Sequence, residues 1–144
     1  MLRITKQSDY GIVLMTHFAA DAARSVHNAR DLAAAAGLPL PTVSKILKAL
    51  ARADLLASHR GVKGGYRLAR DPEEISVAEI ITALEGPIAM TECLDHDAAD
   101  CDIEHRCPAR TNWQRINHVV REALDAVSLS EMAPSFSFSP AGKD

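Results

Sequence analysis

The chain has 144 residues, the length of one domain or of a small domain with an added association element, and its hydrophobic fraction of 47% is enough for a packed core. Aromatic residues are only 4%, so that core has to be built mainly from Leu, Ile, Val and Ala. The net charge of −3 conceals a split: residues 1–70 carry eleven Lys/Arg against four Asp/Glu (+7), and residues 71–144 carry five against fifteen (−10).

A basic first half points to a polyanionic partner, with the acidic remainder limiting unspecific adhesion. The chain has no uninterrupted apolar run of the roughly 18 residues that a bilayer span needs, and its first residues lack the apolar stretch of a signal peptide. A cytoplasmic location with no membrane partner is therefore the expectation. Three cysteines, an odd number, argue against a disulfide framework and for thiolates that hold metal. No nucleophile–base pair, phosphate loop or paired carboxylates occur in a pocket-like context, so an enzyme is not expected.

In chain order, a helix is predicted over residues 8–24, with Tyr10, Val13, Leu14, His17 and Phe18 on one apolar face and His17 as a buried core histidine. A second, short helix is capped by Asn28, carries Asp31 at its positive end and stops at Gly37. After a three-residue break a third helix starts at Pro41, where a missing N–H is harmless. Val43, Ile46, Leu47 and Leu50 face inward, and Thr42, Ser44, Lys45 and Lys48 face outward. A short helix, a glycine turn and an amphipathic helix with small polar and basic residues outside make a helix-turn-helix. Two short strands follow, 55–59 and 66–69, around the glycine-rich tip "RGVKGG" with Arg60 and Lys63. A basic hairpin directly after a helix-turn-helix is a winged helix, and its tip can meet the DNA backbone or minor groove. Pro41, Thr42, Ser44, Lys45, Lys48, Arg60, Lys63 and Tyr66 are the expected DNA-binding residues of a roughly palindromic double-stranded site.

Ser76 and Glu79 then form a capping box, Val77, Ile80, Ile81 and Leu84 an apolar stripe, and Gly86-Pro87 a stop. Past a cysteine-containing loop, "TNWQRINHVVREALDAVSL" reads as one long helix. Its Trp113, Ile116, Val120, Ala123 and Val127 repeat like the seam of a two-helix contact, broadened by Val119 and Leu124. A homodimer is the expectation, because a helix after an inserted loop has little single-chain core left to cover. The fold class is mainly α with a small β-hairpin wing. The predicted organisation is a winged helix-turn-helix domain over 1–86, a cysteine-rich cluster-binding loop over 87–108, a dimerisation helix over 109–132 and a disordered tail over 133–144.

The cysteines are spaced Cys93-x7-Cys101-x5-Cys107, without the close pairs of structural zinc sites. Wide gaps suit an iron–sulfur cluster, whose irons need separated thiolates, while zinc and metal-free redox thiols remain open. The loop is acidic (Glu92, Asp95, Asp97, Asp100, Asp102, Glu104), so binding a cation would couple to its folding.

The ordered features "MLRITKQSDYGI", the helix-turn-helix, the wing "RGVKGGYRL", the helix "SVAEIITALEG", the three-cysteine loop and the ending "SLSEM" resemble the Rrf2 family of winged-helix regulators across residues 1 to about 132. Its wing motif G-x-x-G-G-Y-x-L is matched by Gly61, Gly64, Gly65, Tyr66 and Leu68. The resemblance, above all to its IscR-like and NsrR-like members, implies a dimeric transcription factor with one iron–sulfur cluster per subunit, 2Fe–2S or 4Fe–4S, on Cys93, Cys101 and Cys107. It also implies that cluster state alters DNA affinity. The cysteine spacing looks closest to regulators of the SUF iron–sulfur assembly system, which implies repression of cluster-assembly genes. Nitric-oxide or redox sensing is the alternative within the family. IscR-like members carry a histidine ligand three residues after the last cysteine, where this chain has Arg110, which cannot ligate. NsrR-like members use an N-terminal carboxylate reached across the dimer, and Asp9 occupies that place. His96, His105 and an exogenous ligand are the other candidates for the fourth position.

Overall fold

The structure, a computed structural model, describes residues 2–94 and 101–133. The first helix, α1 (Lys6–Ala20), begins where the Thr5 hydroxyl accepts the Ser8 N–H and carries Asp9 in its first turn. Its buried face is Ser8, Gly11, Leu14, Met15 and Phe18. This is a rotation from the predicted stripe: Tyr10 and His17 are half-buried and Val13 is exposed. The helix also ends earlier than residue 24. Asp21 takes the backbone N–H groups of Ala23 (3.0 Å) and Ser25 (2.9 Å), bonds the Ser25 hydroxyl and meets His27 Nε2 at 2.9 Å. A short polar side chain thus turns the backbone away from the helix, with Arg24 in the left-handed region at φ 50°.

Those hydrogen bonds, the Ser25 hydroxyl first, hold the Asp21 carboxyl down at about 2. A depressed folded-state pKa stabilises above the ordinary carboxylate pKa and is lost as pH falls toward the folded value. Asp21→Asn should therefore lower stability by about 1–2 kcal/mol at neutral pH, with the deficit shrinking as acid protonates the wild-type carboxylate. Urea unfolding across the acid limb checks this; a constant deficit down to pH about 2 would refute the assignment. Burial, and then His27, lower the pKa of His17.

Helix α2 (Ala29–Ala36) is capped by Asn28 Oδ1, which accepts the Asp31 N–H at 2.8 Å, and ends at Gly37 with φ 67°. Helix α3 (Leu40–Arg52) starts one residue before Pro41 and buries Val43, Ile46, Leu47 and Leu50, as its spacing predicts. Strands β1 (Leu56–His59) and β2 (Gly65–Leu68) pair antiparallel, Leu56 opposite Leu68 and His59 opposite Gly65. The hairpin is also tied to the loop before α2: His27 and Tyr66 exchange both backbone hydrogen bonds at 2.8 Å. Gly65 permits this approach, since a Cβ there would lie 2.6 Å from the His27 carbonyl carbon and 2.9 Å from Asn28 Cα.

A 3-10 turn at Pro72–Glu74 leads to α4 (Val77–Glu85), whose Ser76–Glu79 capping box is complete and whose Glu79 also pairs with Arg70 at 2.7 Å. Helix α4 packs on α1, where Gly11 leaves room for Leu84, and Glu85 accepts hydrogen bonds from the Thr5 hydroxyl and, at 2.7 Å, the buried Ser8 hydroxyl.

Helix α5 (Arg110–Asp125) is shorter than predicted. The chain breaks at 126–128 and restarts as α6 (Leu129–Met132) behind a second capping box, Ser128 with Glu131. The "S-L-S-E" signature of that box is present in the sequence, but the apolar spacing continues through it and reads as one helix. Val127 consequently leaves the predicted seam: its carbonyl accepts the Val77 N–H at 2.9 Å, while the Leu129 N–H donates to Ile75 O at 2.7 Å and the Leu129 side chain is fully buried in the core. Of the predicted tail at 133–144, residues 134–144 lie outside the described residues. Among the described residues, no helix is long and apolar enough to cross a membrane.

Candidate functional site

Helix α3 sits on α2 with its apolar side sealed into the core by Val43, Ile46, Leu47 and Leu50. That leaves Pro41, Lys45 and Lys48 exposed, with Thr42 and Ser44 half-buried beside them. The second basic element is the hairpin tip: Arg60, Gly61, Val62 and Lys63 are all exposed, Val62 completely. Tyr66, predicted with the DNA-binding residues, is half-buried against the core, and its backbone holds His27. Arg67, between Tyr66 and the buried Leu68, points outward on β2; strand alternation marks it as an exposed cation that the predicted DNA-binding set omits.

The cysteine segment hangs between α4 and α5. Cys93 lies in a 3-10 turn, Glu92–Leu94, with its Sγ 3.1 Å from Thr91 Oγ1. Cys101 and Cys107 bracket a second turn, Glu104–Arg106, through successive i to i+3 hydrogen bonds: Glu104 N–H to Cys101 O, Cys107 N–H to Glu104 O, and Arg110 N–H to Cys107 O. All three thiols are free and half-buried. Among the described residues, no three His, Cys, Asp or Glu side chains stand close enough to hold a metal ion, so the donors would have to converge around one. Asp9 is exposed on the first turn of α1, His105 is exposed, and His96 lies outside the described residues.

The donor set nonetheless fits an iron–sulfur group. Three thiols are soft ligands for iron. Arg110, which stands where IscR-like members have a ligand, pairs with Glu104 at 2.8 Å, while its Nε is buried with no hydrogen-bond partner among the described residues. A buried cationic N–H with no partner among the described residues suits an anionic acceptor.

Helix α5 presents an apolar ridge to solvent, with Trp113 37%, Ile116 44% and Val119 57% exposed and Ala123 exposed beyond them. Val120 and Leu124 are half-buried.

Residues 4–135 match the Rrf2 family, described as iron-dependent transcriptional regulators. The chain belongs to the Rrf2 family. Within it, this regulator is 32% identical to a helix-turn-helix-type transcriptional regulator of Mycobacterium tuberculosis over 133 residues, covering 92% of this chain and 81% of the relative. It is 30% identical to the transcriptional regulator IscR of Aliivibrio salmonicida over 131 residues, covering 91% of this chain and 77% of that one. Among solved structures it is similar to CymR, the global cysteine regulator of B. subtilis, with a TM-score of 0.72 and 31% identity over 92% of this chain and 97% of the other. It is also similar to IscR of T. potens, with a TM-score of 0.67 and 27% identity over 91% and 85% of the two chains. The winged-helix architecture is thereby established for this Rrf2 member, and its relatives are DNA-binding transcriptional regulators rather than enzymes.

Proposed function

We propose that this Rrf2 member is a homodimeric repressor whose operator affinity is set by an iron–sulfur cluster held on Cys93, Cys101 and Cys107. The observation that carries this reading is three free, half-buried thiols in one segment joined directly to a helix whose apolar ridge is exposed among the described residues. In the dimer the two α3 helices enter successive major grooves of a roughly palindromic site. Thr42, Ser44 and Lys45 read base edges, Lys48 contacts phosphate, Pro41 lies near the backbone, and Arg60 and Lys63 grip the flanking DNA from the wing. Trp113, Ile116, Val120 and Ala123 supply the apolar contact between subunits.

When bound, such a cluster supplies a redox-active, exchangeable iron centre. Cys93, Cys101 and Cys107 would hold it as thiolates, Arg110 would balance its charge, and Asp9 of the partner subunit would complete the donor set. An oxygen ligand there makes the site labile, as a sensor requires. The resemblance of the cysteine spacing to that of SUF-system regulators supports feedback on iron–sulfur assembly genes as the physiological role.

The test is purification without oxygen, with visible absorption, iron and sulfide counted per chain, and operator binding measured before and after chelation. The reading expects a coloured protein that loses colour in Cys101→Ser and changes operator affinity on stripping. A colourless protein with stoichiometric zinc would end it. A coloured protein in which Asp9→Ala keeps its spectrum and cluster stability would remove Asp9 alone.

A second reading, metal-free redox sensing by the same thiols, is supported by all three being free and half-buried. It expects the iron-free protein to change operator affinity on mild oxidation.

A further inference from the structure

Helix α5 is exposed along most of its length, yet one of its residues is buried, and that residue is polar: Asn117, 9% exposed. Both ends of its amide are used. Its Oδ1 accepts the Met90 N–H at 2.9 Å, and its Nδ2 donates to the Ile88 carbonyl at 3.1 Å. Asn117 thus serves as a strand-like partner for the 87–90 strap that leaves α4, three residues before Cys93. A groove of about 490 Å³ lies among Ile4, Ile81, Ile88, Met90, Val120 and Leu124. At the far end of the helix, Ser76 Oγ donates to Asp125 Oδ1 at 2.8 Å, tying α5 to the start of α4. The cysteine segment is therefore a loop closed at its root by one buried amide. Beyond Met90 the chain enters the Cys93 turn directly, through the Leu94 N–H to Thr91 O bond at 3.0 Å.

We propose that Asn117 is the positioning residue that couples Cys93 to helix α5, so that a change at the thiol shifts α5 against the DNA-reading unit. The transmission to DNA rests on the regulator reading above; the placing of Cys93 does not. A buried amide bonded to two backbone groups has one geometry in which both are satisfied, and displacing the strap leaves two buried polar groups unpaired. Motion of the Cys93 turn is thus passed to the helix instead of being absorbed by the groove.

The test uses the full chain stripped of metal, with a maleimide as thiol probe and the reacting cysteine identified by peptide mapping. Asn117→Ala is expected to speed alkylation of Cys93 and exchange of the Met90 amide about tenfold, while the Leu50 and Ile80 amides keep wild-type protection. Asn117→Asp, which keeps the acceptor for Met90 but sets a carboxylate against the Ile88 carbonyl, should also exceed the wild-type rate. Asp125→Ala, which loosens the other end of α5, should leave Cys93 at the wild-type rate. Wild-type Cys93 reactivity in both Asn117 variants would overturn the proposal.

In metal-loaded protein, Asn117→Ala should bring the ratio of operator affinities, loaded against stripped, at least about fivefold closer to one, with iron per chain unchanged. An unchanged ratio would overturn the transmission. A wild-type ratio of one would instead sink the metal-responsive reading, and the alkylation rates in stripped protein would still decide whether Asn117 places Cys93.

Discussion

Replacing Gly65 by alanine should cost about 3 kcal/mol of stability and lower Tm by roughly 10 °C, with operator binding lost alongside. The added Cβ would meet backbone on both sides of the His27–Asn28 peptide, and backbone cannot swing away as a flexible side chain can. The hairpin would have to leave the loop before α2, breaking the paired His27–Tyr66 hydrogen bonds that set the wing against the helix-turn-helix. Gly37 provides the comparison. Its φ of 67° disfavours any side chain, but nothing lies within 4 Å of its Cβ position, so Gly37→Ala should cost only about 1 kcal/mol. Thermal and urea unfolding of the two variants, with the wild type alongside, measures the difference. Equal costs would show that the wing does not depend on this close approach.

The second large effect concerns DNA. Lys45→Glu together with Lys48→Glu should weaken operator binding by about 3 kcal/mol or more, over 100-fold, because each change removes a cation and adds a repelled carboxylate. Both side chains are exposed on α3, so the fold should be unaffected. The single variants separate the two roles. Lys48→Glu should weaken all DNA alike and flatten the salt dependence by about one unit of slope, whereas Lys45→Glu should chiefly reduce discrimination between operator and unrelated sequence. Fluorescence anisotropy across a salt series reads both quantities. Affinities and slopes matching the wild type would remove α3 from the DNA interface.

Much of the fold was legible because its signals are local. Asn28 and Ser76 announce helix starts through hydrogen bonds their side chains accept, and Gly37 announces a helix end through the left-handed φ that the lack of a Cβ permits. The inward face of α3 follows from four apolar residues at helical spacing, and the wing from alternation around a glycine tip. The Ser128 capping box was equally local and was overridden by an apolar repeat that runs through Val127. A repeat shows which residues are apolar along a helix; it does not show where the helix stops.

What the composition and local patterns of this chain determine by themselves is a basic winged helix, an acidic three-cysteine segment and an amphipathic helix after it. Tertiary structure alone decided which polar and small residues are interior. Ser8 and Gly11 carry no apolar signal, yet they form the buried face of α1, because Leu84 packs where Gly11 has no side chain and Glu85, 77 residues from Ser8, accepts its hydroxyl. Asn117 carries no apolar signal either, yet it is buried because backbone groups 27 and 29 residues earlier satisfy its amide. The physical reason is the same in both cases. A polar group can be buried only when a partner arrives, and the partner's arrival depends on chain far removed in sequence.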